Sequence, residues 1–343
     1  MYKLLCQRFI YRNKSTFSST YIRIQYKSET KQKLEKSRVS NVKTYWFNRY
    51  INYIKNYDRV LEKNFPQTMQ IYKVFATGTK DFMGEVIKYV TTIQKPSTSL
   101  TTKELQLTYT MRRDLIKMCP VLLISAVPFT NYVLFPLIYY FPRYFLTSHY
   151  WTPQQKLDFM VLDHKKRLKH NRPLFRCMQT ELLNIKNKSL KAKWNSIIAC
   201  LGSGTHPHVE DIITCSELFA GQPYAIDNLK RKHIKELLAI HGIPTWRPFR
   251  KQKLIERGMF IKQMDESIQR EGGVTILSED AICWALSFRG LNPANMSIEN
   301  MQKWLTQWFI VSNNVNENTI SLLLHCPILL AYNHPTNWIL IYS

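Results

Sequence analysis

The sequence predicts an all-α protein in which a single membrane-spanning helix precedes a bundle of helices. Three observations support this fold class. Residues 118–142 form a run of 25 residues without a charged side chain. Apolar residues elsewhere recur at helical spacing, as at Met301, Leu305, Trp308 and Phe309. Ser, Thr, Gly and Pro stand where the intervening helices would begin and end.

The uncharged run is long enough for a membrane helix. At about 1.5 Å per residue it would reach ~37 Å, against a hydrocarbon core of ~30 Å. Its prolines free backbone carbonyls, which Asn131 and the hydroxyls of Ser125 and Thr130 can satisfy. The alternative is a buried helix of a soluble domain. The residues assigned to the span on these grounds are Pro120, Pro128, Asn131, Pro136 and Pro142.

The segment before the span divides into a leader and a helical part. Residues 1–28 contain six Lys or Arg residues, a Ser/Thr-rich stretch and no acid, a composition typical of a mitochondrial transit peptide. A solvated basic tail is the alternative. We assign 1–43 to the presequence and a flexible lead-in. Residues 44–117 are predicted as helices, separated at Pro66 and followed by a juxtamembrane helix capped by Thr101 or Thr102.

Residues 143–332 are predicted as a helical domain. Thr152 and Pro153 have the sequence of a helix start. The basic run at 164–172 would attract anionic lipid headgroups or simply form a solvated helix face. A second helix is expected at about 174–200, followed by a linker at 202–208. His206 and His208 in that linker lack further ligands at a usual spacing, so we expect no metal site and no cofactor.

A weak internal repeat follows. Residues 238–244 are echoed by 286–293, and each copy reads as a short helix that ends at a glycine, Gly242 or Gly290, before a proline and a longer helix. A hydrophobic helix is expected at 319–330. We assign 333–343 to a C-terminal tail.

The charge favours an acidic partner. The chain has 48 Lys and Arg residues against 24 Asp and Glu, a net charge of +24, which is typical of proteins that bind nucleic acid, ribosomes or anionic lipid. No catalytic motif is present, so we expect no enzymatic activity. Seven scattered cysteines indicate reduced thiols. The candidate residues for the acidic partner are Lys230, Arg231, Lys232, Arg247, Arg250, Lys251, Lys253, Arg257 and Arg289.

Several motifs together resemble the LETM family of mitochondrial inner-membrane proteins, in particular its short branch. They are RRDLIKMCP at 112–120, VPFTNYVLFPLIYYFPR at 127–143, LGSGTHP at 201–207 and ALSFRGLN at 285–292. The resemblance implies a single inner-membrane span and a matrix-facing helical domain similar to a ribosome-binding domain. It also implies roles in ion homeostasis, mitochondrial translation and membrane architecture. The flanking charges alone would place the N-terminal side in the matrix; we follow the family.

Two functions follow from these expectations. The first is an inner-membrane anchored scaffold that binds mitochondrial ribosomes or respiratory-assembly factors, supports mitochondrial structure, translation and respiration, and can form homo-oligomers. The alternative is a potassium or calcium/proton exchanger, or its regulator. Exchangers of the family have an acidic residue at the position of Asn131, and an Asn side chain cannot exchange a proton, which favours the scaffold.

Substitution of Asn131 separates the two functions. If the run is an anchor, Asn131→Leu should weaken self-association by about 0.6 to 2 kcal/mol and leave ribosome association intact, and Asn131→Glu should create no exchange. The measurement is potassium-driven swelling and matrix pH in mitochondria whose only copy is the variant, with blue-native migration as the assembly control. Loss of flux in Asn131→Leu with normal migration would support the exchanger instead.

Overall fold

The computed structural model describes residues 66–96, 99–127 and 130–342. The predicted leader and lead-in, the first of the N-terminal helices and Pro128 lie outside these residues. The chain divides into two units, Met1–Ala76 and Thr77–Ser343, and the second contains every helix described below except the first residues of α1. Within the described residues the secondary structure is helical throughout, without a strand, which confirms the all-α class.

Fifteen α-helices follow one another through the described residues. They are α1 Pro66–Ile93, α2 Thr102–Ser125, α3 Asn131–Tyr140, α4 Pro142–Phe145, α5 Pro153–Leu168, α6 Asn171–Glu181, α7 Lys188–Gly202, α8 Val209–Thr214, α9 Glu217–Ala220, α10 Arg231–Ile240, α11 Arg250–Arg270, α12 Glu279–Phe288, α13 Ile298–Asn313, α14 Ile320–Ala331 and α15 Pro335–Tyr342.

Local capping signals account for most helix starts. Thr101 and Thr152 each accept a hydrogen bond from the third residue of their helix in a complete capping box, and Pro153 occupies the first turn of α5. The Asn187 side chain caps α7 by accepting hydrogen bonds from the N–H groups of Ser189 and Leu190. At the other end, Gly242 and Gly290 take positive φ values of 68° and 93° directly after α10 and α12, which confirms the predicted repeat of helix ends.

The uncharged run does not form one helix, and here the sequence-based expectation was wrong. Its first part belongs to α2, the chain leaves the helix at Ala126 and Val127, and α3 begins at Asn131. The Thr130 hydroxyl donates to the carbonyls of Ile124 (2.6 Å) and Val127 (2.7 Å), which closes the end of α2. Pro128 disfavours helical backbone at the preceding residue, which is the physical reason for the break.

The two ends of the run lie side by side. The Lys117 ammonium donates to the carbonyl of Arg143 at 2.6 Å, and α3 and α4 pack back against α2. The run is therefore a helical hairpin. None of the helices in the described part of the chain has both the length and the apolarity needed to cross a bilayer.

Two smaller expectations also change. The helix expected at 174–200 is two helices, α6 and α7, because Asn187 caps a new helix instead of continuing the old one. The residues assigned to a C-terminal tail include α15, which is docked on the domain. Asn337 is fully buried there, accepts a hydrogen bond from the Asn292 N–H (2.9 Å) and donates to the carbonyls of Gly290 (3.0 Å) and Ala331 (2.8 Å).

Helix α14 is the centre of the bundle. All twelve of its residues are buried, as expected for a helix that is apolar on every face. Helix α11 packs against it most extensively. The approach is close at Gly258, where a Cβ atom would lie 2.7 Å from Cγ1 of Ile320, so a larger residue there would force the Ile320 side chain or the helices to shift.

A buried ion pair joins the helices of the second repeat to α11. The Arg289 guanidinium contacts Oδ1 of Asp265, and both residues are at most 1% exposed. The other carboxylate oxygen accepts hydrogen bonds from Trp308 Nε1 (3.0 Å) and from the Ser312 hydroxyl (2.6 Å). Because the ends of α12 and α13 both bond to a side chain of α11, this network fixes three helices relative to one another.

A buried histidine pair links α10 to α14. The two Nε2 atoms of His233 and His325 are 2.8 Å apart. His325 Nδ1 lies 2.7 Å from the Ser321 carbonyl and must donate to it, so its Nε2 accepts the proton of His233. Burial lowers the pKa of His325 to about 4 and that of His233 to about 2, and the pair is neutral at physiological pH.

The ion pair gives a stability prediction. Arg289→Met leaves a buried carboxylate unpaired and Asp265→Asn leaves a buried guanidinium unpaired, so each should lower the free energy of unfolding by about 3 to 5 kcal/mol. The double variant removes both charges and should cost clearly less than the sum of the two. Urea unfolding followed by far-ultraviolet circular dichroism measures this, and additive losses would show that the pair is not coupled.

The histidine pair predicts acid sensitivity. Because the folded-state pKa values lie below the value of an unfolded histidine, the unfolded chain binds more protons between about pH 6.5 and 4. The free energy of unfolding should therefore fall as the pH is lowered through that window. His233→Gln, whose amide can still donate to His325, should flatten this dependence, and His208→Gln at an exposed position should not. Equal slopes in both variants would contradict the assignment.

Candidate functional site

The hairpin formed by the end of α2, α3 and α4 presents an apolar surface. Leu123 and Val133, one on each arm, are 73% and 74% exposed. Patches of this kind on a folded domain indicate contact with a membrane or another protein. Among the hairpin side chains that the structure describes, the exposed apolar ones are Leu123, Ile124, Val127, Val133, Leu137, Tyr139, Tyr140, Phe141 and Tyr144.

Polar and aromatic residues form the base of the hairpin. Lys117 contacts the carbonyls of Arg143 and Leu146 and lies 5.2 Å from the centre of the Trp151 ring. Burial, aided by the nearby Arg113, lowers the pKa of Lys117 to about 8. Arg143 pairs with Asp163 of α5 at 2.5 Å. Trp, Lys and Arg in this arrangement are typical of the boundary between an apolar phase and water.

Seven of the nine predicted partner-binding residues lie at the surface around the starts of α10 and α11. We call them the basic face. Three of them have local partners: Lys230 pairs with Glu181 (2.7 Å), Lys253 pairs with Glu256 (2.7 Å) and Lys251 donates to the Asp227 carbonyl (2.8 Å). The residues of the basic face are Lys230, Arg231, Lys232, Arg247, Arg250, Lys251 and Lys253.

The other four residues of the basic face are unpaired. Arg231, Lys232, Arg247 and Arg250 are exposed, and within the part of the chain that the structure describes none has a carboxylate within 4 Å. Their charges are therefore available to an acidic partner.

Arg257 and Arg289 do not belong to this surface, contrary to expectation. Arg289 is 0% exposed and neutralised by Asp265. Arg257 is 5% exposed, with its guanidinium 3.7 Å from the centre of the Phe288 ring and 5.0 Å from that of Tyr109. Aromatic faces and the carbonyl end of α12 stabilise its charge instead of a carboxylate. Neither guanidinium can reach a binding partner.

The basic run at 164–172 is likewise only partly exposed to solvent. Arg167 donates hydrogen bonds to the carbonyls of Ile240 (2.6 Å), Ser287 (2.9 Å) and Phe288 (3.3 Å). Burial, with the neighbouring Arg257 second, lowers its pKa to about 10, so it remains charged. Arg167 therefore holds together the C-terminal ends of α10 and α12, the two short helices of the repeat.

Two aromatic residues that sequence reasoning overlooked stand beside the basic face. Trp246 and Phe249, in the loop between α10 and α11, are 77% and 80% exposed. Their alternation with Arg247, Pro248 and Arg250 between two helices was the available signal, because a Pro-interrupted aromatic and basic stretch cannot be buried in a helix.

No arrangement of side chains suited to a metal ion was found among the described residues. His206, one of the two linker histidines, instead accepts a hydrogen bond from the Asn333 N–H (3.3 Å).

Comparison with known proteins places these features in a family. The family described as LETM1-like, RBD matches residues 100–329. The chain is 30% identical over 292 residues to LETM1 domain-containing protein 1 of Xenopus tropicalis, which covers 82% of each chain. It is 27% identical over 307 residues to the Homo sapiens protein of that name, covering 87% of this chain and 85% of the relative.

A third relative of the same name, from Bos taurus, is 30% identical over 287 residues, covering 81% of this chain and 79% of the relative. No solved structure matches. The family match covers the helical domain from the start of α2 to α14, including the hairpin and the basic face. The chain therefore belongs to the LETM1-like family.

Proposed function

We propose that the protein is a scaffold of the mitochondrial inner membrane that binds an acidic partner, the mitochondrial ribosome, through its basic face. The observation that supports this most directly is the group of unpaired cations Arg231, Lys232, Arg247 and Arg250. The ribosome fits them as a partner, because its RNA presents phosphates to which Lys and Arg side chains are attracted. The family membership and the net charge of +24 point the same way.

Contacts with phosphates explain how a surface of this kind can bind a ribosome without a specific pocket. Each Lys or Arg that neutralises a phosphate releases counterions, which gives affinity without sequence recognition and makes binding strongly salt-dependent. The rigid helices α10 and α11 hold the cations in place, since His233 and Gly258 anchor those helices on the buried α14. The domain is thus a preformed platform for a polyanion.

The hairpin supplies the attachment to the membrane in this proposal. Its two arms, 118–125 and 131–140, are about 12 Å and 15 Å long, close to half of a ~30 Å hydrocarbon core. We infer that it enters the bilayer from one side and returns, with the aromatic and basic residues at its base in the headgroup region. The family resemblance favours the matrix side.

Charge reversal on the basic face tests ribosome binding. Arg231→Glu/Lys232→Glu should weaken co-sedimentation of the full chain with mitochondrial ribosomes by about tenfold or more and reduce the slope of log affinity against log salt by about 1.5 to 2.

The matched control is Lys103→Glu/Lys303→Glu, which makes the same change of charge at exposed positions on α2 and α13. It should bind like the unmodified chain. An equal loss of ribosome binding in both variants would show that binding depends only on the net charge of the chain. No loss in either variant would refute the assignment of the basic face.

A further inference from the structure

The loop between α10 and α11 has an unusual conformation for its sequence. Phe249 has a φ of 56°, in the left-handed region that a bulky side chain rarely adopts, and its ring is nevertheless exposed. Trp246 is similarly exposed three residues earlier. Two large aromatic side chains therefore point away from the core on a loop that has a defined, strained backbone. Such strain persists where surrounding structure or function maintains it.

The same loop borders an open, positively charged cleft. The cleft has a volume of about 780 Å³ and its charged lining includes Arg231, Arg247, Arg250 and Lys251 against the single acid Asp227. Exposed aromatic rings beside several cations can serve two kinds of partner: single-stranded nucleic acid, by stacking, or an anionic bilayer surface, by insertion between headgroups.

The position of the loop in the fold distinguishes the two. Helices α2 and α11 are antiparallel, because Thr102 contacts Ser267 (2.8 Å between hydroxyls) and Glu271, whereas Tyr109 stacks on Phe260 at 5.2 Å. Moving along α2 toward the hairpin therefore corresponds to moving along α11 toward its first residue.

The distances along the two helices are similar. On α2, the helix rises about 13 Å from Tyr109 to Met118, where the uncharged run begins. On α11, it rises about 10 Å from Arg257, which also contacts Tyr109, to Arg250. The loop with Trp246 and Phe249 thus lies at nearly the level of the hairpin base, on the end of the domain from which the hairpin projects.

We propose that this loop is a second membrane contact, which inserts Trp246 and Phe249 into the headgroup layer of an anionic phospholipid surface while Arg247 and Arg250 bind the phosphates. The inference rests on the proposed attachment of the hairpin to the membrane. With two contacts the domain has a fixed orientation on the bilayer. Of the four unpaired cations of the basic face, Arg247 and Arg250 then bind lipid, and Arg231 and Lys232 stay available to the ribosome.

Vesicle flotation of the full chain tests the proposal. The vesicles are neutral phosphatidylcholine, or the same lipid with a fraction of phosphatidylglycerol. Trp246→Ala/Phe249→Ala should weaken binding to the anionic vesicles by about tenfold or more, from the lost apolar insertion. Arg247→Gln/Arg250→Gln should weaken binding to the anionic vesicles by about fivefold per charge and reduce the difference between the two lipids by the same factor.

Controls at the opposite end of the domain match these changes. Ile276→Ala removes an exposed apolar side chain beyond the far end of α11, and Lys103→Gln removes an exposed cation beside Thr102. Neither should change flotation. A fluorescent oligouridine is tested in parallel by anisotropy, and the loop variants should leave its binding unchanged.

The outcomes separate this inference from the proposed function. The hairpin variant Leu123→Asp/Val133→Asp should abolish flotation on neutral vesicles, which tests the hairpin attachment alone. If it does so while the loop variants bind anionic vesicles like the unmodified chain, the hairpin attachment stands and the loop contact is refuted. If the loop variants lose oligouridine binding but keep anionic vesicles, the loop is a nucleic-acid site and the proposal is overturned. If the unmodified chain floats with neither vesicle, the membrane attachment itself fails.

Discussion

The ion pair between Asp265 and Arg289 is the interaction on which most of the domain depends. Arg289 directly follows α12, and its partner carboxylate also accepts hydrogen bonds from Trp308 and Ser312 of α13. The next residue, Gly290, turns the chain with a φ of 93° against Pro327 of α14 and accepts a hydrogen bond from Asn337 of α15. One buried pair thereby aligns α11, α12 and α13 and places the turn that receives α14 and α15. The position of α11 in turn determines where the loop with Trp246 and Phe249 lies.

Buried or half-buried arginines recur in this fold. Arg289 is neutralised by a carboxylate, whereas Arg167 and Arg257 meet helix carbonyls and aromatic rings at the ends of α10 and α12. Helix C-termini carry partial negative charge, and a guanidinium has enough donors to bridge two of them. The sequence repeat thus has a structural meaning, because both short helices end beside the same cationic centre.

Local signals in the sequence were sufficient for several of the helix ends. Thr101, Thr152, Gly242 and Gly290 act through neighbours only a few residues away, so their roles can be derived without the fold. Long-range properties could not be derived in this way. Hydropathy does not reveal that 118–142 folds back, because the fold depends on Lys117 meeting Arg143 across the run. Charge composition likewise cannot distinguish exposed Arg247 from buried Arg289, since burial is decided by the partner Asp265.

The proposed membrane scaffold depends on the hairpin. The accessibility of the two ends of the hairpin tests the proposal most directly. Single cysteines at Lys103 and Gln154, in a chain whose seven native cysteines are replaced, would be labelled with a membrane-impermeant maleimide in mitoplasts and in inverted inner-membrane vesicles. The hairpin predicts that both positions react from the same side of the membrane and are protected together from the other. Labelling of Lys103→Cys from one side and Gln154→Cys from the opposite side would show that the run crosses the bilayer and would contradict the account.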